Sequence, residues 1–138
     1  MDAKLTWKNE LAFTGIADSG VPLAVDTSVA HGGSGEGVAP MEMILMGLGG
    51  CTGMDVISIL EKKRQEVTNF EVRVHGDRAE EHPKVFTHIV VEYVVSGHQI
   101  DPEAVKRAVE LSETKYCSVM AMLRKAAEVE TKITIQEG

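Results

Sequence analysis

Two thiols carry the widest chemical repertoire in this chain of 138 residues: Cys51 and Cys117 are its only cysteines and stand 66 positions apart. That spacing is not the C-x-x-C of a zinc or thioredoxin-like site, and two cysteines are too few for a disulfide scaffold. By residue type alone, each reads as a small, buried, apolar side chain. Their settings add a second reading. Cys51 stands within PMEMILMGLGGCTGMDV, which is apolar and rich in glycine, and Cys117 stands where a helical pattern restarts. A helix N-terminus beside Cys117 would lower its thiol pKa. A low-pKa thiolate with a second thiol in reach is what reversible peroxide chemistry needs: attack, sulfenic acid, then disulfide.

Few other side chains compete for a chemical role. Asp55 follows Cys51 by four residues and shares its helix face, where an anion raises a thiol pKa; a hydrogen-bonding role suits it better. Glu42 falls in a first helical turn, facing the helix dipole. The five histidines are scattered without metal-ligand spacing, and HGGSGEGVAP (31–40) is a loop that lacks the G-K-[ST] ending of a phosphate-binding loop, so it reads as a flexible connection. Lys115 and Tyr116 flank Cys117, and Met41, Met43, Met46, Met54, Met120 and Met122 read as core filling in a chain with six aromatics.

The elements that must position these groups follow from hydrophobic period. Short strands are predicted at 5–8, 11–17 and 23–26, and longer alternating ones at 69–75, 85–96 and 129–136, each half-burying one face. From Met41 to about Arg64, apolar residues cover every face for five turns, which predicts a buried helix. Gly47, Gly49, Gly50 and Gly53 each cost roughly 0.5–1 kcal/mol there, so close backbone approach must offset them. Asp101-Pro102 opens a second helix as cap and first residue, and Tyr116-Cys117-Ser118 interrupts its pattern before it resumes to about Ala127.

Composition narrows the class. Hydrophobic residues make up 43% and charged residues 25%, as in a folded globular chain, and the length suits one domain over 1–138. A net charge of −7 repels phosphate backbones and anionic lipid, so nucleic acid is a poor partner. No basic leader precedes an apolar run, and no apolar stretch reads as long enough for a membrane span, which points to a soluble cytoplasmic protein without a membrane partner.

Three blocks in order, PMEMILMGLGGCTGMDV, HPKVFTHIVVEYVVSG and KYCSVMAMLRKA, resemble the OsmC/Ohr family of thiol-dependent hydroperoxide reductases, from about residue 8 to residue 136. The resemblance implies an α+β fold, two central helices wrapped by β-sheets, formed as an intertwined homodimer with its active sites at the subunit interface. It assigns Cys51 as the peroxidatic and Cys117 as the resolving cysteine, with an organic hydroperoxide as substrate, an external dithiol as reductant, and no prosthetic group or metal. The family's catalytic glutamate near the start of the first helix has Glu42 as its counterpart. Glu42 stands nine residues before Cys51, about 900° around a regular helix and so on the opposite face, and the family's usual spacing of ten falls on Met41. The family's N-terminal arginine has no counterpart, because the first arginine is Arg64. Lys4 or Lys8 supplies charge there without a planar fork, and Arg73, Arg107 and Arg124 are later guanidiniums. The chain thus resembles a side branch whose leading function is peroxide reduction by the Cys51/Cys117 pair. The alternative is a non-catalytic protein that holds a small molecule in an apolar pocket at the dimer interface.

Overall fold

A computed structural model describes residues 1–138 and shows a mixed α+β fold with two sheets. The chain forms two units, Met1–Ile44 and Leu45–Gly138.

In the first unit, β1 (Ala3–Asn9), β2 (Ala12–Ala17) and β3 (Leu23–Val25) make an antiparallel sheet in sequence order, with Trp7 paired to Phe13 and Phe13 to Val25. The strands lie where alternation puts them, and β1 begins two residues earlier. The glycine-rich loop is tied down, unlike the flexible connection its composition suggests. The buried Asp26 carboxylate accepts the Thr27 N–H at 2.7 Å, the Ser34 N–H at 3.1 Å and the Ser34 hydroxyl. A Cβ on Gly37 would come within 2.7 Å of the Asp26 nitrogen, so the chain passes there only without a side chain. Helix α1 (Pro40–Lys62) opens with proline in its first position, and Glu42 Oε1 reaches back to accept the Ala39 N–H at 2.9 Å. That is half of a capping box, which satisfies a backbone donor left free at the helix start.

The second unit holds the remainder of α1, then β4 (Glu66–Arg78), β5 (Phe86–His98), α2 (Pro102–Leu111), α3 (Ser118–Leu123) and β6 (Glu128–Glu137). Its sheet order is β4-β5-β6, with β4–β5 antiparallel and β5–β6 parallel. A parallel pair needs a crossover connection, and the stretch carrying α2, Cys117 and α3 supplies it. Asp101 caps α2 as its sequence predicts, with a side-chain oxygen accepting the Glu103 N–H at 3.0 Å. β4 half-buries Phe70, Val72 and Val74. Central β5 buries Tyr93, Val94 and Val95 in succession, where one buried face alone was predicted.

Three expectations about α1 are corrected. The helix is not covered all round: Leu48, Gly49, Thr52, Val56 and Leu60 form one buried stripe, whereas Met46 and Met54 are exposed rather than core filling. Its glycines also divide. A Cβ on Gly49 would stand 3.1 Å from Val74, and one on Gly53 would stand 3.2 Å from Val72, so these two let the helix close on β4; Gly47 and Gly50 face open space. By length and composition α1 also passes as a bilayer span, 23 residues with a mean hydropathy of 1.7 over its most apolar window, contrary to the reading of the sequence. Its contact with β4 shows a helix built to pack on a sheet.

Candidate active site

Cys51 and Thr52 lie at mid-length on α1, and Asp55 lies one turn further on. Across from them, the crossover widens after α2 into a π-helical turn, Ser112–Tyr116, before α3 begins. The Ser112 carbonyl accepts the Cys117 N–H at 2.8 Å, which brings the chain out of the turn with Cys117 as N-cap of α3. The Cys117 sulfur accepts the Met120 N–H at 3.3 Å. The helical restart predicted from the sequence therefore exists, with Cys117 immediately before its first residue, Ser118.

The structure brings the two cysteines together as free thiols, Cys51 half-buried and Cys117 buried. The electrostatic expectation for Cys117 is reversed. Burial pushes its thiol up to about 11, the neighbouring Cys51 thiol and the Asp55 carboxylate add to the rise, and the Met120 N–H opposes them. A helix of six residues offers little dipole, so desolvation wins. Resting Cys117 is a neutral thiol.

Behind the thiols runs a polar chain that the sequence reading did not assemble. Asp55 Oδ2 accepts the Ser112 hydroxyl at 2.9 Å, and Thr52 Oγ1 lies 2.7 Å from Ser112 Oγ and 2.8 Å from the Tyr93 hydroxyl. Tyr93 donates to Glu113 Oε2 at 2.7 Å. Glu113, with only 6% of its side chain exposed, also accepts from Arg124 Nη2 at 2.8 Å and from Thr131 Oγ1 at 2.8 and 3.0 Å. Burial and the Glu113 carboxylate hold the Tyr93 hydroxyl far above its usual range, against the Thr52 hydrogen bond that lowers it, so Tyr93 stays protonated. The one signal in the sequence was a set of polar residues inside apolar stretches, Thr52 in α1 and Tyr93 in β5, each of which must find a partner when buried.

Glu42 lies in the other unit, with one carboxylate oxygen on the Ala39 N–H. Arg73 pairs with Glu71 at 2.8 Å and Arg107 with Glu110 at 3.7 Å, which leaves Arg124 as the guanidinium tied to the polar chain. Lys115 lies over the Tyr116 ring, 5.1 Å from its centre. A groove of about 480 Å³ lined by Met54, Asp55, Ser58, Ile59, Lys62, Leu111 and Tyr116 opens the Asp55 side of the site to solvent.

Residues 33–132 match the family described as OsmC-like protein. The chain is 45% identical to Protein YhfA of Escherichia coli K12 over 130 residues, 94% of this chain and 93% of that protein. Among solved structures, it is similar to a hypothetical protein from Aquifex aeolicus VF5, with 32% identity, TM-score 0.87, and 99% and 96% of the two chains covered. The organic hydroperoxide resistance protein OhrB of Bacillus subtilis shares the fold at 21% identity and TM-score 0.62, over 96% of this chain and 98% of that one.

Proposed function

The chain belongs to the OsmC-like family, and from that premise we propose that it is a two-cysteine thiol peroxidase acting on organic hydroperoxides. The observation that carries the reading is the pairing of a half-buried Cys51 thiol with a buried Cys117 thiol in one site. Cys51, the more accessible, attacks the peroxide O–O bond as thiolate; the distal oxygen becomes the sulfenic acid and the other leaves as alcohol. Cys117 then displaces the sulfenic hydroxyl as water and forms the disulfide, which an external dithiol reduces by thiol–disulfide exchange. Glu42 is the family's candidate for assisting Cys51. The exposed apolar residues of α1 support a homodimer, with a second copy covering Met46 and Met54.

Counting thiols after a molar excess of cumene hydroperoxide tests the reading. Wild type is expected to lose both thiols to an internal disulfide, Cys117→Ser to leave a Cys51 sulfenic acid that dimedone traps, and Cys51→Ser to consume no peroxide. Two intact thiols would sink it. That result would favour a non-catalytic small-molecule binder, a reading supported by the lack of any arginine before Arg64 and by the engagement of Glu42 at the helix start.

A further inference from the structure

The polar chain behind the thiols is one proton short. From Asp55 through Ser112, Thr52 and Tyr93 to Glu113 run four oxygen–oxygen links of 2.7 to 2.9 Å, and each needs a hydrogen between its oxygens. Only three hydroxyl protons are present, those of Ser112, Thr52 and Tyr93. With both end carboxylates charged, Ser112 donates to Asp55 and Tyr93 donates to Glu113, so Thr52 can serve one neighbour and its other link is two lone pairs in contact. Thr52, Tyr93 and Ser112 are fully buried, so water does not relieve this. One added proton completes the chain in a single direction: Asp55 to Ser112 to Thr52 to Tyr93 to Glu113. At the far end Arg124, Thr131 and Tyr93 all donate to the Glu113 carboxylate, so its lone pairs are already engaged. The open end is Asp55, one turn along α1 from Cys51, and its partner Ser112 accepts the Cys117 N–H through its carbonyl, which sets the carboxylate where its charge reaches the Cys117 thiol.

We infer that Asp55, backed by the Ser112–Thr52–Tyr93–Glu113 chain, is the internal base that takes the Cys117 thiol proton as the disulfide forms. The inference rests on the thiol–disulfide reading above. As the Cys117 sulfur bonds to the Cys51 sulfur, its S–H proton passes to Asp55, the Cys51 S–OH bond breaks, and Asp55 returns the proton to the departing hydroxide as water. Proton, bond and electron counts balance with no outside reagent. A buried thiol pushed up to about 11 needs such an acceptor at neutral pH. The charged or titratable groups around Asp55 are Cys51 on its own helix, Cys117, Glu113 and Tyr93 across the chain, Arg124 behind Glu113, and Lys62 and Tyr116 along the groove.

Closure of the pair can be watched without peroxide. Loading the more accessible Cys51 with the coloured thionitrobenzoate group as a mixed disulfide lets Cys117 expel it, and the released colour reports the rate. Wild type is expected to close at a rate nearly flat from about pH 6 to pH 8, because its base is internal. Asp55→Asn is expected to close at least about tenfold more slowly at pH 7 and to gain roughly tenfold per pH unit, as hydroxide must then ionise Cys117. Thr52→Val keeps Asp55 and its Ser112 bond, and is expected to slow closure several-fold with an intermediate slope. A wild-type rate that itself climbs tenfold per pH unit, or an Asp55→Asn profile as flat and fast as wild type, would overturn the inference. Failure to consume hydroperoxide would instead count against the peroxidase reading, which this assay does not use.

Discussion

Removing the guanidinium from Glu113 probes the construction of the site most directly. Arg124→Ala deletes a charge-assisted hydrogen bond of 2.8 Å to a carboxylate whose side chain is 6% exposed. Stripping one partner from a buried ion pair costs about 3–5 kcal/mol, since the remaining charge stays out of water. Two features reduce that here. The Arg124 side chain is 41% exposed, so part of the pair is already screened, and Glu113 keeps the Tyr93 and Thr131 hydroxyls as donors. The expected loss is therefore about 2 kcal/mol, close to the value of a hydrogen bond to a charged group. For a chain of this length, that corresponds to a fall in Tm of roughly 5–8 °C. Urea unfolding at fixed protein concentration measures it, and a cycle with Glu113→Gln isolates the pairing from lost arginine packing. The same variant loosens the segment between Glu113 and Arg124 that holds Cys117, so disulfide closure should slow while labelling of Cys51 does not. A loss below about 0.5 kcal/mol, or a cycle with no coupling, would refute the view that this pair anchors the site.

Two further outcomes follow from local geometry. Gly53→Ala and Gly49→Ala would each push a methyl against a valine of β4 at 3.2 and 3.1 Å, and should lower stability by about 1–3 kcal/mol in thermal melts. Gly50→Ala faces open space and should leave the isolated chain level or raise it by up to about 1 kcal/mol. Stability should also decline in alkali: Cys117 binds its proton more tightly folded than unfolded, so its contribution is whole below about pH 9 and is lost as pH rises towards about 11. Urea midpoints across that range should fall more steeply in wild type than in Cys117→Ser, which keeps only the loss from Tyr93 above about pH 10.

Much of the fold could be read from local pattern because local physics decides it. Period-two alternation marked the strands, Asp101-Pro102 marked the start of α2, and the broken helical pattern at Tyr116-Cys117-Ser118 marked the restart where α3 begins. These signals lie within a few residues of one another and depend on backbone geometry and on which face a side chain takes. The two cysteines were legible as a pair through a resemblance spread over three blocks, since neither carries a local motif that points to the other.

Tertiary structure decided what depends on distance through space. It set the direction of the Cys117 shift, because burial outweighs a dipole that sequence can see, and it left α1 buried along one stripe, the side that meets β4 and Ser112. It also joined Thr52, Tyr93, Ser112 and Glu113, which lie as far as 61 positions apart in the chain, into one hydrogen-bonded line. A polar residue in an apolar stretch announces that it needs a partner, but its hydrogen bond reaches about 3 Å in space and has no range along the sequence. Residue types and helix starts were therefore fixed by neighbours in the chain, while proton positions, thiol acidity and the path between them were fixed by which elements pack together.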